Sequence, residues 1–251
     1  MFASLDVTIT ATLRPALLDL TLWAFRRNFF ARLPGTKIRI IINVDPLWGE
    51  PGDVPRMAEI ARANADGVVM RTPERPGFGE AVRWLWTQSS SPWVFHLEDD
   101  WILTRRIDIT RLEREMARPR AAQVRFNRRR NRFFRRPRFS LNPCLLKQEF
   151  IREALAAFDP AQDPEKQILR GHLRPLEQKW RYYEHGPAFH DAIVVDTGRA
   201  WRDMLEITKS SDKMLPTWTA GNGRRIDVAA MAPHIASWRA AVQAADALPP
   251  V

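Results

Sequence analysis

The chain has 251 residues, with 39 Lys and Arg against 29 Asp and Glu, a formal charge of +10, and 45% apolar residues. That length and apolar content suffice for one large domain and exclude disordered and collagen-like chains. No apolar run approaches the roughly 20 residues that span a bilayer, MFASLDVTIT lacks the order of a secretory signal, and the single cysteine, Cys144, excludes an internal disulfide framework.

A cytoplasmic location is therefore expected. Of the 39 basic residues 33 are arginine. GC-rich coding alone can produce that bias, and arginine also suits planar phosphate recognition.

Residues 6–13, DVTITATL, have the β-branched enrichment of a strand. Pro15 suits the first turn of a helix, and Leu18, Leu22, Phe25 and Phe29 then form an apolar helical stripe that Gly35 ends. KIRIIINV, residues 37–44, reads as a second, fully buried strand closed by Asp45-Pro46. A helix around VPRMAEIARANA ends at Asp66-Gly67, and GVVMR makes a third strand. After the loop TPERPGFG, Glu80 opens the helix EAVRWLWTQ, and WVFHL is a fourth strand. Strands alternating with helices in this way predict a mainly parallel α/β sheet with crossover helices. Ligands of such sheets bind beyond the carboxyl ends of the strands. Asp45 and the run Glu98-Asp99-Asp100 both fall there.

The second half is less regular. DITRLEREMA reads as a helix capped by Asp108 or Thr110, and AAQVRFNRRRNRFFRRPRFSLNPCLL as two short strands joined by an arginine-rich loop. KQEFIREALAAF is a helix, AFHDAIVVDTG a last strand, and GRAWRDMLEITK follows it. A helical segment from Asp227 to Leu248 is expected to be interrupted at Pro233. The expected division is a domain over residues 1–215 and a C-terminal loop and helical extension over 216–251.

Three consecutive acids repel one another, so solvent, an arginine or a bound cation should compensate them. Mg²⁺ and Mn²⁺ take oxygen ligands, commonly one or two carboxylates with phosphate oxygens and water. Strand alternation would turn Glu98 and Asp100 to one side and Asp99 to the other. A solvated acidic turn after a strand is the plainer reading of the acids taken alone.

The run SPWVFHLEDDW resembles the acidic metal-binding motif of GT-A glycosyltransferases, in an EDD form of DxD. VTITATLRPALLDLTLWAF is similar to the opening strand and helix of family-2-like members, and NVDP to their second strand end. GFGEAVRWLW resembles the helix before the metal strand, FSLNPCLLKQEFI the acceptor-side strand and helix, and VVDTGRAWRD the late segment of the catalytic domain. In family order, these stretches span roughly residues 6 to 209.

The resemblance implies a GT-A fold, with a Rossmann-like sheet flanked by helices and a C-terminal helical extension. It further implies a nucleotide-sugar donor, UDP-linked first, and Mn²⁺ or Mg²⁺. On this reading Asp100 is the metal ligand, with Asp99 and His190 as further candidates. Thr12, Arg14, Asp45, Glu98 and Asp99 lie on the donor side, and Asn142, Arg199 and Lys209 on the acceptor or phosphate side. Lys209 and Lys213 would close over the diphosphate, and His185 and Asp196 belong to the same late segment. The general base an inverting transferase needs would be Glu165 or Asp163, Glu165 being favoured. Cys144 reads as packing rather than as a nucleophile.

Residues 125–138, RFNRRRNRFFRRPR, hold eight arginines interleaved with Phe126, Phe133 and Phe134. Such a run can grip single-stranded nucleic acid, which makes a nucleic-acid-binding protein or a metal-dependent nuclease the alternative. As part of a transferase it would face an anionic acceptor, or contact the inner face of a membrane peripherally.

Overall fold

In the computed structural model the chain is described over residues 3–126, 137–186, 192–204, 206–211, 216–219 and 228–251. His190, Lys213, Phe133, Phe134 and most of the arginine run lie outside the described residues. The elements run β1 (Ser4–Thr12), α1 (Pro15–Asn28), β2 (Lys37–Asp45), α2 (Val54–Arg62), β3 (Gly67–Arg71), α3 (Phe78–Gln88), β4 (Trp93–Glu98) and β5 (Trp101–Leu103). Then follow α4 (Ile109–Met116), β6 (Ala121–Phe126), β7 (Cys144–Lys147), α5 (Gln148–Leu155), α6 (Pro164–Leu169), α7 (Arg174–Lys179) and β8 (Arg181–His185). The chain closes with β9 (Val194–Asp196), α8 (Gly198–Met204), β10 (Thr208–Ser211), β11 (Pro216–Thr219) and α9 (Val228–Gln243).

Seven strands form the central sheet in the order β3-β2-β1-β4-β7-β6-β8. The strands β1 to β4 are parallel, β7 is antiparallel to both β4 and β6, and β6 is parallel to β8. The carboxyl ends of β1, β2, β4 and β6 therefore share one edge. As expected from the sequence, the first half is strand–helix alternation around a parallel sheet.

Alternation along β1 divides the core. Leu5, Val7, Ile9 and Ala11 face α1 and α2, in a cluster that includes Phe25, Phe29, Phe95 and Phe126. Phe29 packs on Phe95 and Phe126 at ring separations of 5.2 and 5.4 Å. On the other face Trp86, Phe139, Phe150 and Tyr182 belong to a second cluster beneath α3 and α5. There β1 presents polar side chains instead. Buried Asp6 takes Arg39 Nε and Nη2 at 2.7 and 2.8 Å and the amides of Ser90 and Ser91. Burial opposes its charge, but Arg39 and the two amides outweigh that cost and hold the carboxyl below its ordinary range.

Asp108, not Thr110, caps α4, accepting from Arg111 N at 3.1 Å. The interruption expected at Pro233 does not occur, because α9 runs through it. Met231, Ile235 and Trp238 dock beside Leu17 and Trp201, and that packing offsets the one helical hydrogen bond proline removes. Arg239 pairs with Asp19 at 2.8 Å and lies over Trp23, fixing α9 to α1. No helix among the described residues is long and apolar enough to cross a membrane.

Candidate active site

The register brings the acids together. Thr12 pairs with Asp45 and Thr10 with Glu98, so β1 and β2 finish level at the shared edge and β4 ends two residues short of them. β4 stops at Glu98, and the chain turns over Asp99 and Asp100 before β5 starts. Strand alternation therefore lapses where it was expected to separate Asp99 from Asp100, and both carboxylates meet Arg14.

Asp99 is buried and fully engaged. Its Oδ2 accepts from Arg14 Nε at 3.2 Å and Thr12 N at 3.1 Å, and its Oδ1 accepts from Arg14 Nη2. Thr21 Oγ1 donates to its carbonyl at 2.8 Å. Arg14 Nη2 also reaches Asp100 Oδ2 at 3.1 Å. The guanidinium is buried beneath the Trp201 ring, 5.9 Å from its centroid. Burial works against its charge, but Asp99 and Asp100 outweigh that and hold its proton more tightly than an ordinary arginine's.

A third segment closes on Asp100. β9 pairs with β5, and Thr197 donates from both N and Oγ1 to the Asp100 carbonyl at 2.8 Å. Gly198, opening α8, lies so close that a Cβ there would sit 1.9 Å from Asp100 Oδ2. One turn further on, Arg202 lies 3.3 Å from Asp196 Oδ2 and 4.0 Å from Asp100 Oδ2. The sequence reading missed Arg202. Its signal was the four-residue spacing from Gly198, which puts both on one face of α8.

The clustering shifts the carboxyls. Burial, reinforced by Asp99 and Asp196 against the pull of Arg14 and Arg202, pushes Asp100 up to about 6. Burial lifts Glu98 well above its usual range, and Asp100, Glu165, Asp196 and Asp99 add to that.

Glu165 shares this field from the far side. Its Oε1 accepts from Ser140 Oγ at 2.9 Å and Leu141 N at 2.7 Å, and Asn142 Nδ2 donates to the same Ser140 hydroxyl. Asp163 is the N-cap of α6, accepting from Glu165 N and Lys166 N at 2.9 and 3.0 Å. That cap fixes the backbone from which Glu165 projects. Gly79 lets the preceding loop approach α3, since a Cβ there would meet Pro160 O at 2.1 Å.

At the end of β2, Asp45 accepts from Asn43 Nδ2 at 2.7 Å and Gly77 N at 3.1 Å. Burial raises its carboxyl despite these bonds. Arg71 donates to Asn43 Oδ1 at 2.6 Å and stacks 4.7 Å from the Trp84 ring centroid. Arg71 and Gly77 were not singled out from the sequence, because only the parallel pairing of β2 and β3 and the start of α3 bring them to Asp45, whereas Asn43 reaches it from two residues earlier on β2.

Other candidates stand apart from this cluster. His185 is buried between Glu115 Oε2 at 2.7 Å and the Val251 carbonyl at 2.9 Å, so both ring nitrogens serve packing. Arg199 is exposed, and its backbone N donates to Asp196 Oδ1 at 3.1 Å. Lys209 lies in β10 opposite Trp218. Cys144 is buried, which pushes its thiol up, and Gln123 Nε2 lies 3.2 Å from Sγ. At the two ends of the arginine run, Arg125 pairs with Glu184, and Arg138 with Glu177 at 2.7 Å.

Among the described residues no three His, Cys, Asp or Glu side chains group closely enough to hold an ion by themselves. Asp99 has its oxygens taken by Arg14 and Thr12. Asp100 is then the carboxylate left for a cation, in a cluster where Asp99, Asp100 and Asp196 outnumber Arg14 and Arg202. These residues fit Mg²⁺ or Mn²⁺ in the mode where one carboxylate and ligand phosphates share the ion.

No protein-family model matches the chain, and no curated protein matches it in sequence. Solved structures do match it. A mannosyltransferase from Pyrobaculum calidifontis, in complex with GDP-Man and Mn²⁺, aligns over 98% of this chain and 76% of its own at 15% identity, with a TM-score of 0.55. S. aureus TarS 1–349 aligns over 80% of this chain and 62% of its own at 10% identity, TM-score 0.53. This chain thus spans less than two thirds of that structure. HddC from Yersinia pseudotuberculosis, complexed with GMP-PN, aligns over 79% of this chain and 94% of its own at 11% identity, TM-score 0.51. At these identities the likeness is one of fold: the chain is a mixed α/β protein whose mostly parallel, helix-flanked sheet matches the GT-A type.

Proposed function

We propose that the protein is a metal-dependent glycosyltransferase, moving a sugar from a nucleotide-sugar to a hydroxyl of a glycan, lipid or protein acceptor. One observation carries the reading. Acids from separate segments, Asp45, Asp99-Asp100, Asp196 and Glu165, converge on the carboxyl edge of a parallel sheet. The fold is also that of a mannosyltransferase solved with GDP-Man and Mn²⁺, which favours a nucleotide-sugar donor and a divalent ion.

Asp45, oriented by Asn43 and Gly77, would accept N–H or O–H groups of the nucleoside, with Arg71 beside it. Asp100 would hold Mn²⁺ or Mg²⁺. The ion, when bound, supplies Lewis-acid stabilisation of the charge left on the departing diphosphate. Arg202, half-buried at the rim, adds positive charge on the same side. Glu165 would take the proton from the acceptor hydroxyl, its Oε1 fixed by Ser140 and Leu141 so that Oε2 is oriented. Glu98, whose carboxyl feels both Asp100 and Glu165, would be suited to a sugar or ribose hydroxyl. The basic excess supports an anionic acceptor or peripheral contact with an anionic membrane.

The test is release of nucleoside diphosphate from a panel of UDP- and GDP-sugars with Mn²⁺. Asp100→Ala should abolish it while leaving circular dichroism and the thermal midpoint near those of the parent. Full activity in that variant removes the core of the proposal. Tight oligonucleotide binding with a steep salt dependence, and no thermal shift from any nucleotide-sugar, would replace it with the nucleic-acid reading.

A further inference from the structure

Arg14 was expected to hold the nucleotide, yet it is buried and turned toward the acids. Two of its nitrogens grip Asp99, and Nη2 also bonds Asp100 Oδ2 at 3.1 Å. Thr12 N takes a further position on Asp99 Oδ2. A carboxylate engaged in this way has little left for a metal ion, and a guanidinium this close repels a divalent cation. The ring of Trp201 covers the guanidinium, and Asp99 is almost fully buried, so the pair is packed in place.

We propose that Arg14 is the resident counter-cation of this site: by saturating Asp99 and sharing Asp100, it makes the divalent ion and the nucleotide diphosphate bind together rather than the ion first. Facing one half-neutralised carboxylate, an ion alone gains little. A diphosphate adds oxygen ligands and negative charge, which offset the repulsion from Arg14. Arg14 is thus a positioning residue that acts through Asp99 and Asp100, not a nucleotide contact. The inference rests on the transferase reading for its ligands but adds that Arg14 sets the linkage between them, a role that reading does not require.

The experiment measures free Mn²⁺ by electron paramagnetic resonance in titrations of the full chain, with and without saturating UDP or GDP, each corrected for the Mn²⁺ that the same nucleotide binds without protein. For the parent chain, Mn²⁺ should bind at least ten-fold more tightly with one of the diphosphates present. In Arg14→Gln, Mn²⁺ alone should bind at least ten-fold more tightly than to the parent, and the linkage should shrink. Arg14→Lys keeps the charge and should retain most of the linkage. Equal Mn²⁺ affinity with and without a diphosphate that does bind overturns the inference and leaves the transferase reading standing. So does an Arg14→Gln chain that folds and binds Mn²⁺ alone no better than the parent. Should Arg14→Gln not fold, Arg14→Met takes its place with the same expectation. If neither nucleotide binds under any condition, both readings fall.

Discussion

Gly198→Ala puts a single methyl group against the heart of the acidic cluster. The added Cβ would lie 1.9 Å from Asp100 Oδ2 and 2.6 Å from its Cγ. The first distance is about 1.5 Å short of ordinary van der Waals contact. Asp100 cannot simply rotate away, because Arg14 holds Oδ2 on one side and Thr197 pins the Asp100 carbonyl on the other. Either the carboxylate or the start of α8 must shift by something like an ångström. A misplacement of about 1 Å in a positioned group costs on the order of 100-fold in rate. We therefore expect Gly198→Ala to lower kcat/KM for nucleotide-sugar turnover by about that factor, with only a small change in thermal midpoint. Steady-state kinetics of the variant provide the assay. A Gly198→Ala enzyme within three-fold of its parent would refute the geometry.

Three further outcomes follow from the same side chains. His96 is buried, and burial depresses its ring to about 3 from an ordinary 6.5. The unfolded chain therefore takes up a proton there first. Stability from this residue is complete above about pH 6.5 and declines by about 1.4 kcal/mol per unit as pH falls toward 3. Urea unfolding between pH 7.5 and 4.5 should show His96→Leu with a flatter pH dependence than the parent; parallel curves would contradict it. Glu165→Gln keeps acceptors and donors near Ser140 but cannot take a proton, so transfer should fall by about 100-fold or more while donor affinity changes little. Equal loss of both would move the base elsewhere. Removing divalent ions with EDTA should stop turnover, and Mn²⁺ should restore it; turnover persisting in EDTA would remove the ion from the chemistry.

What the sequence disclosed was local. β-branched runs ending in Asp45 and Glu98 located strands β1 to β4 closely, because their apolar pattern is set by burial on both faces of a parallel sheet. The acids were visible as a cluster because they are contiguous. Their partners were not, since Arg14 is 85 residues from Asp99 in sequence and Arg202 lies beyond another pair of strands. Alternation misassigned Asp99 because β4 ends one residue before it, a boundary that the shared edge sets rather than local propensity. Pro233 misled in the other direction, because packing against Leu17 and Trp201 overrides its cost. The arginine excess pointed outward to polyanions, yet several arginines serve the fold itself. Arg39 compensates Asp6, Arg111 pairs with Glu115, and Arg138 with Glu177.

The two sides of Asp100 differ in how firmly they are held. Arg14 and Asp99 sit just beyond the ends of β1 and β4, neighbouring strands of a seven-stranded ladder whose exchange with solvent requires large-scale opening. Thr197, Gly198 and Arg202 hang from β9, three residues paired only with the three of β5. Local opening of that small ribbon needs far fewer bonds broken than disruption of the sheet, and it would withdraw Asp196, Gly198 and Arg202 from Asp100 while Asp99 and Asp100 stay in place. Amide exchange should therefore report two protection classes meeting at one carboxylate, with the faster class at residues 194–198.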